Sequence, residues 1–274
     1  TKDENKVCLE RIDTLKLISK INNEDIKEYY NSSIALLYKY KDSNDDDKDS
    51  KNIAITLAKI LCEYANELTK FNDLNKANDL YKQALNEVKG FYDYLKENYS
   101  TNKLIADCYF NVGFNSDNYK EGEKNLTSAL EIYKYLEKES DNDELVYKIV
   151  KTFNAIGYMN VKLKNYDKAI EFINKAIDRC LSLTQTDSIY YWELTKYMAN
   201  LGYIYIDLKQ YETAIKYFKL ALNNLEILNV VSSPLLSDSV FTVVSSVTVV
   251  FFSSVSGCSI LVVDSSTLTV FLNV

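Results

Sequence analysis

The sequence of 274 residues contains no histidine. Histidine is the usual general base near neutral pH, the usual partner of serine and cysteine nucleophiles, and the commonest metal ligand in proteins. Its absence argues against most hydrolase mechanisms and most zinc sites. The sequence also lacks a phosphate-binding loop of the GxxxxGK type. We therefore expect a protein that is not an enzyme and that holds neither a cofactor nor a metal.

Proline and glycine are also scarce, with one proline and six glycines in the whole chain. Interior helix positions tolerate neither residue well, so their scarcity favours long, uninterrupted helices. The apolar content of 47% is enough for a sizeable core.

Five cysteines are present. Their number is odd and none of them forms a CxxC pair, so the sequence indicates neither a disulfide framework nor a thiolate metal site. We interpret them as reduced, buried thiols of a cytoplasmic protein. They are Cys8, Cys62, Cys108, Cys180 and Cys258.

The net charge is -7, and lysines and acidic residues are closely mixed along residues 1–229. Because no face carries a basic stripe, we expect no nucleic-acid partner. Residues 1–20 alternate charged and apolar side chains, which is not the pattern of a signal peptide. The chain begins with Thr rather than Met, which is consistent with a missing amino terminus.

A pattern of small and large residues recurs about every 45 positions. Each unit reads small-x-x-x-large-x-x-small, which places the three residues on one face of a helix, here called helix B. The first small residues are Ala77, Gly122, Ala169 and Ala214, and the second are Ala84, Ala129, Ala176 and Ala221. A periodicity of this length is typical of helical arrays.

A second helix, helix A, precedes each helix B and carries one small residue at an equivalent position: Ala65, Gly113, Gly157 and Gly202. Small residues on both helices let two antiparallel backbones approach closely. Residues 163–167 and 208–212 are predicted to form the short turns between the helices, with Tyr166 and Tyr211 dropping back into the groove.

These residues resemble the tetratricopeptide repeat family, whose pattern has Leu-Gly-x-x-Tyr in helix A and Ala-x-x-x-Phe-x-x-Ala in helix B. The best match is Met198, Leu201, Gly202, Tyr205, Tyr211, Ala214, Phe218 and Ala221. The resemblance covers four units over residues 51–229. The units exceed the usual family length of about 34 residues, as in the long repeats of kinesin light chains, and the extra residues predict prolonged helices. Residues 1–50 are then a degenerate hairpin, over residues 3–41, followed by a solvated acidic loop at 42–50.

The resemblance implies an all-α fold, a superhelical solenoid of antiparallel hairpins whose concave surface is lined by the A helices. It further implies a non-enzymatic scaffold that binds a peptide or a partner domain on that surface. Exposed A-helix residues outside the motif are the candidate contacts, although solvated helix surface is the simpler explanation of each of them. They are Asn66, Asn111, Lys151, Asn154, Lys196 and Asn200.

One known binding mode of the family can be compared residue by residue. Members that clamp the terminal carboxylates of chaperone peptides use five Lys, Asn and Arg positions in three units. Asn66, Asn111 and Lys151 match three of these positions. Cys62 replaces the first Lys and Ala155 replaces the Arg, which removes most of the charge and disfavours this clamp.

Residues 230–274 differ abruptly from the rest of the chain, with 13 valines, 12 serines and only two charged residues. Three interpretations are open. Residues 239–263 could be a membrane-spanning tail anchor, which would make the protein a tethered adaptor. Alternatively, residues 239–252 could pair with residues 257–274 as a β element, or the segment could be a low-complexity tail that is disordered or not native sequence. We favour the third, because neither structural interpretation explains the loss of Lys, Arg, Glu and Tyr.

Overall fold

The computed structural model of the chain describes residues 26–43, 47–90, 99–140 and 142–231, and four strands between residues 243 and 271. The helices are α1 (Ile26–Ser43), α2 (Asp47–Lys70), α3 (Leu74–Val88), α4 (Tyr99–Phe114), α5 (Tyr119–Glu137), α6 (Asp143–Lys162), α7 (Tyr166–Leu183), α8 (Tyr190–Asp207) and α9 (Tyr211–Val231). The chain divides into two compact units, residues 1–179 and 180–274. The first half of the predicted amino-terminal hairpin lies outside the described residues.

In the first unit each A helix packs against the B helix that follows it: α2 against α3, and α4 against α5. Helices α4 and α6 also pack against the preceding B helices, α3 and α5. In the second unit α8 packs against α9. The predicted all-α solenoid of helical hairpins is confirmed. The helices continue well past the repeat motif, as in α7, which runs seven residues beyond Ala176.

Small residues lie at the helix crossings, as the repeat pattern predicts. A Cβ atom added to Gly113 would lie 2.8 Å from the carbonyl oxygen of Gly122, so the backbones of α4 and α5 are in direct contact there. Gly157 similarly lies over Ile173 and the carbonyl of Ala169. Equivalent residues therefore meet in the two hairpins, which fixes the register of the unit at 109–130.

That unit is three residues shorter than its successor between the two small positions. Helix α4 ends at Phe114, one residue after Gly113, whereas α6 continues to Lys162, five residues after Gly157. The sequence Asn115-Ser116-Asp117-Asn118 ends the helix early, because these residues bond to nearby backbone in non-helical conformations. Asn118 then caps α5 by accepting a hydrogen bond from the Glu121 amide at 3.3 Å.

The turns at 163–165 and 208–210 share one geometry. Lys164 and Lys209 both adopt φ of 60°, and the next residue in each turn donates its amide to a carbonyl five residues earlier at 2.8 Å. This is the left-handed helix ending usually made by glycine. Tyr166 is half-buried at the start of α7, but Tyr211 is 59% exposed, so the prediction that it drops into the groove is wrong.

The acidic segment at 42–50 is helical at both ends, because α1 extends to Ser43 and α2 begins at Asp47. Residues 44–46, between them, lie outside the described residues. The expected solvated loop is therefore much shorter than the run of acidic residues.

In the carboxyl-terminal segment the strands are β1 (Val243–Val244), β2 (Val247–Ser254), β3 (Gly257–Asp264) and β4 (Leu268–Phe271). They form an antiparallel sheet in the order β1-β2-β3-β4, with β2 paired to β3 from Val247↔Asp264 to Ser254↔Gly257. This pairing corresponds to the β interpretation of the tail, and the valine-rich composition suits strands. Strands β1 and β2 and most of β3 lie within the segment 239–263 that was considered as a tail anchor.

Among the described residues, no helix combines the length and apolar character needed to cross a membrane.

Candidate functional site

An open cavity of about 390 Å³ lies along three successive A helices of the first unit. We call it the A-helix groove. Its lining residues are Lys59, Cys62, Glu63 and Asn66 of α2, Leu104, Asp107, Phe110 and Asn111 of α4, and Lys148 and Lys151 of α6. The lining is mainly polar and contains three lysines and two acidic residues.

The positions of these side chains follow from the repeat. Each small residue of helix A faces its B helix, so the residues two, six and nine positions earlier lie on parts of the helix surface turned away from that B helix. Asp107 and Lys151 both lie six residues before the small residue of their helix, at Gly113 and Gly157. Leu104 and Lys148 lie nine residues before it. Repetition of the helix pair therefore aligns equivalent side chains along one surface.

Asp107 is the centre of a network that connects the groove to the core. Its Oδ1 accepts hydrogen bonds from the Tyr133 hydroxyl at 2.5 Å and from the Lys148 ammonium at 2.8 Å. Burial, together with the neighbouring carboxylate of Asp107, raises the pKa of Tyr133 well above its ordinary value. Tyr133 therefore stays protonated and acts as a donor, and Asp107 joins the A helices α4 and α6 to the B helix α5.

Two asparagine amides face the groove. The Oδ1 of Asn66 accepts a hydrogen bond from the Tyr81 hydroxyl at 2.6 Å, which fixes its orientation. Asn111 is half-buried, and its side-chain amide makes no hydrogen bond within the described part of the chain. An asparagine amide can donate and accept at once, which is what a peptide backbone requires of its partner.

The lysines of the groove differ in their surroundings. Lys148 is paired with Asp107, whereas Lys59 is exposed and has no acidic partner among the residues that the structure describes. The Lys151 ammonium lies 5.8 Å from the ring centre of Phe110 and 5.5 Å from that of Tyr147. These distances allow cation–π attraction, so Lys151 is held by aromatic faces.

Of the six candidate contacts predicted from the sequence, the groove brings together Asn66, Asn111 and Lys151. Asn154 is half-buried on α6, one turn beyond Lys151. Lys196 and Asn200 lie one turn apart on α8 of the second unit, where Lys196 pairs with Glu193 at 2.6 Å.

Sequence reasoning did not name the seven other groove residues as contacts: Lys59, Cys62, Glu63, Leu104, Asp107, Phe110 and Lys148. Counting back from the small residue of each A helix would have found them.

The described cysteines behave as predicted. Cys62, Cys108 and Cys180 are free and buried, which confirms the predicted burial of these three thiols, while the side chains of Cys8 and Cys258 lie outside the described residues. Within the described residues, no three His, Cys, Asp or Glu side chains come together as a metal site.

Comparisons with known proteins agree with the repeat pattern. Residues 150–182 and 195–223 match the family model of the tetratricopeptide repeat. No curated protein matches the chain. The crystal structure of BtubC (BKLC) from P. vanneervenii is similar over 92% of this chain and 98% of its own, with a TM-score of 0.53 and 13% identity. A crystal structure of MamA is similar over 88% of this chain and 100% of its own, with a TM-score of 0.51 and 15% identity. At these identities the likeness shows the fold alone.

Proposed function

Because this chain is a tetratricopeptide repeat protein, we propose that it is a non-enzymatic scaffold that holds an extended, acidic segment of a partner protein in the A-helix groove. Asn66 and Asn111 would bond the backbone of the bound segment. Lys59 and Lys151 would bind its carboxylates. Binding at this groove corresponds to the concave-face mode that the repeat family implies.

The observation that carries the proposal is that one open surface presents the Asn111 amide and the Lys59 ammonium, neither of which has a bonding partner in the described part of the chain. A half-buried amide without a partner loses hydrogen bonds with water and gains none from the protein, so a ligand that supplies them binds favourably. Charge-assisted hydrogen bonds between ammonium and carboxylate groups are the stronger of the contacts available here.

The charge balance favours an acidic rather than a basic segment. The Asp107 carboxylate is already bonded to Lys148 and Tyr133, and Glu63 also has an interaction partner. The other two lysines of the groove are Lys59, which has no acidic partner among the described residues, and Lys151, which lies against aromatic rings.

The terminal-carboxylate clamp is not part of the proposal. Ala155, at the position of the clamp arginine, is 1% exposed and contributes to the core. Cys62, at the position of the first clamp lysine, is buried too. The groove therefore lacks two of the five groups, and internal acidic side chains are the ligands that fit the remaining groups.

The test uses the full chain as bait for a displayed library of random peptides, followed by fluorescence anisotropy on the peptides recovered. We expect enrichment of Asp and Glu. The double variant Lys59→Glu/Lys151→Glu should raise Kd at least about tenfold, equivalent to about 1.4 kcal/mol, and Asn111→Ala should raise it less. The matched control is Lys82→Glu/Lys124→Glu, which changes the net charge equally on the exposed faces of the B helices α3 and α5.

Two results would count against this assignment. If the recovered peptides bound the groove variant as tightly as the native chain, their site would lie elsewhere. If basic or uncharged peptides were enriched, the proposed chemistry of the partner would be wrong.

A further inference from the structure

Two cysteines from neighbouring repeats meet beside the A-helix groove. The Sγ atoms of Cys62 on α2 and Cys108 on α4 are 3.2 Å apart, although 46 residues separate them in sequence. Both are free thiols. Cys62 is 8% exposed and lines the groove, whereas Cys108 lies behind it and is fully buried.

Their separation is already close to that of a covalent bond. A disulfide has an S–S distance of about 2.05 Å, so each sulfur would need to move by roughly half an ångström. Cys180 is a contrasting case within the same chain: it is equally buried, but its sulfur faces the carbonyl oxygen of Tyr190 at 3.6 Å. Burial raises the pKa of Cys180 to about 12.

Two effects raise the pKa of Cys108: the hydrogen bond with Cys62, which is the larger, and burial of the thiol. Cys108 is therefore a thiol at rest, and it is not poised to react with reagents in solution. Cys62, which lines the groove, is the sulfur that a small oxidant can reach.

We propose that Cys62 and Cys108 are a modification site at which hydrogen peroxide forms a reversible disulfide joining α2 to α4. The proposal does not depend on the groove binding a peptide.

The chemistry needs one peroxide for each disulfide. The Cys62 sulfur attacks a peroxide oxygen and the O–O bond breaks. The departing hydroxide takes the Cys62 thiol proton, so Cys62 becomes a sulfenic acid and one water is released. The Cys108 sulfur then attacks the Cys62 sulfur, the S–O bond breaks, and the departing hydroxide takes the Cys108 proton to form a second water. Two thiols are oxidised, peroxide is reduced to two waters, and dithiothreitol reverses the change by thiol–disulfide exchange.

The experiment treats the full, reduced chain with a small excess of hydrogen peroxide, blocks the remaining thiols under denaturing conditions and maps the tryptic peptides by mass spectrometry. Trypsin places Cys62, Cys108 and Cys180 on separate peptides, which are residues 60–70, 104–120 and 180–196. We expect one crosslinked species joining 60–70 to 104–120, lost on treatment with dithiothreitol, while 180–196 carries the blocking group.

Cys180→Ser is the matched variant, and it should retain the crosslink, whereas Cys62→Ser should abolish it. Oxidation of the native chain decides the matter even if a variant fails to fold. Conversion of Cys62 to sulfinic or sulfonic acid without a crosslink would overturn the proposal. Equal linkage of Cys62 to Cys108 and Cys180, or linkage only between chains, would also overturn it.

Discussion

Gly113 lies where two helix backbones touch, and this makes it the least replaceable of the described glycines. A Cβ atom there would be 2.8 Å from the carbonyl oxygen of Gly122 and 2.9 Å from the amide nitrogen of Leu126. Backbone atoms cannot turn aside as a side chain can. At Gly202 the nearest atoms belong to the Phe218 ring, so part of the clash there can be relieved by a ring movement.

We predict that Gly113→Ala destabilises the chain by about 1–3 kcal/mol, the usual cost of overpacking. Helix propensity alone would give the opposite sign, because alanine is favoured over glycine by about 1 kcal/mol in a helix. Urea unfolding followed by far-UV circular dichroism measures the difference.

Gly90→Ala is the control, since nothing lies within 4 Å of a Cβ atom there. It should be neutral or slightly stabilising. A Gly113→Ala protein as stable as the Gly90→Ala protein would show that α4 and α5 are not in backbone contact.

At the scale of the helix, Glu123 connects three successive elements. From α5 it accepts hydrogen bonds from Asn160 of α6 at 3.1 Å and from Lys168 of α7 at 2.5 Å. Burial alone would raise the pKa of Glu123, but the bonds from Lys168 and Asn160 outweigh it and lower the pKa. The charged form is therefore the one that stabilises the folded state.

We predict that Glu123→Gln lowers the free energy of unfolding by about 1 kcal/mol near neutral pH, a typical net value for an intramolecular hydrogen bond. The Glu123 contribution is present above the unfolded pKa of about 4.3 and is lost as the pH falls through the lower folded value. The native and variant unfolding curves should therefore converge in acid. Urea titrations across this pH range measure the effect.

Glu171→Gln is the matched control, because Glu171 pairs with Lys175 of its own helix and its side chain is 58% exposed. Solvent screens such pairs, so its loss should be smaller. If Glu123→Gln cost no more than Glu171→Gln, the link between the three helices would not contribute to stability.

The helices and their partners could be predicted from the sequence because the packing signal is repeated. Gly157 and Gly202 occur in the same pattern, and each predicts a close approach that the structure contains. The network of Asp107, Tyr133 and Lys148 could not be predicted in the same way. Whether a tyrosine on α5 reaches a carboxylate on α4 depends on the rotation of each helix about its axis, and apolar periodicity does not fix this to the nearest residue.

The turns show a second limit of sequence reasoning. Lys164 and Lys209 adopt a left-handed conformation for which lysine has no preference, so local composition gives no signal there. The Cys62–Cys108 contact is intermediate, since their spacing of 46 residues places them one repeat apart. Because they are not at equivalent positions relative to Ala65 and Gly113, only the structure shows that their sulfurs meet.

At the scale of the whole molecule, buried hydrophobic side chains occur in each of the two units, among the helices of the first and in α8 and α9 of the second. The strands β1 to β4, between residues 243 and 271, are hydrogen-bonded to one another in one sheet. In a repeat array, stability is the sum of the units and the interfaces between neighbours. A segment outside the array can therefore be removed without removing an interface between helices.

We predict that a chain ending at Val231 keeps the helical circular dichroism signal of the full chain and unfolds at the same urea concentration. Ending the chain after Phe218 is the control. This truncation removes Ala221 and Leu225, which are buried in the α8–α9 hairpin of the second unit. That truncation should lower the unfolding midpoint. If ending at Val231 were as damaging as ending at Phe218, the Val- and Ser-rich segment would be part of the cooperative fold, and the solenoid would not be a sufficient folding unit.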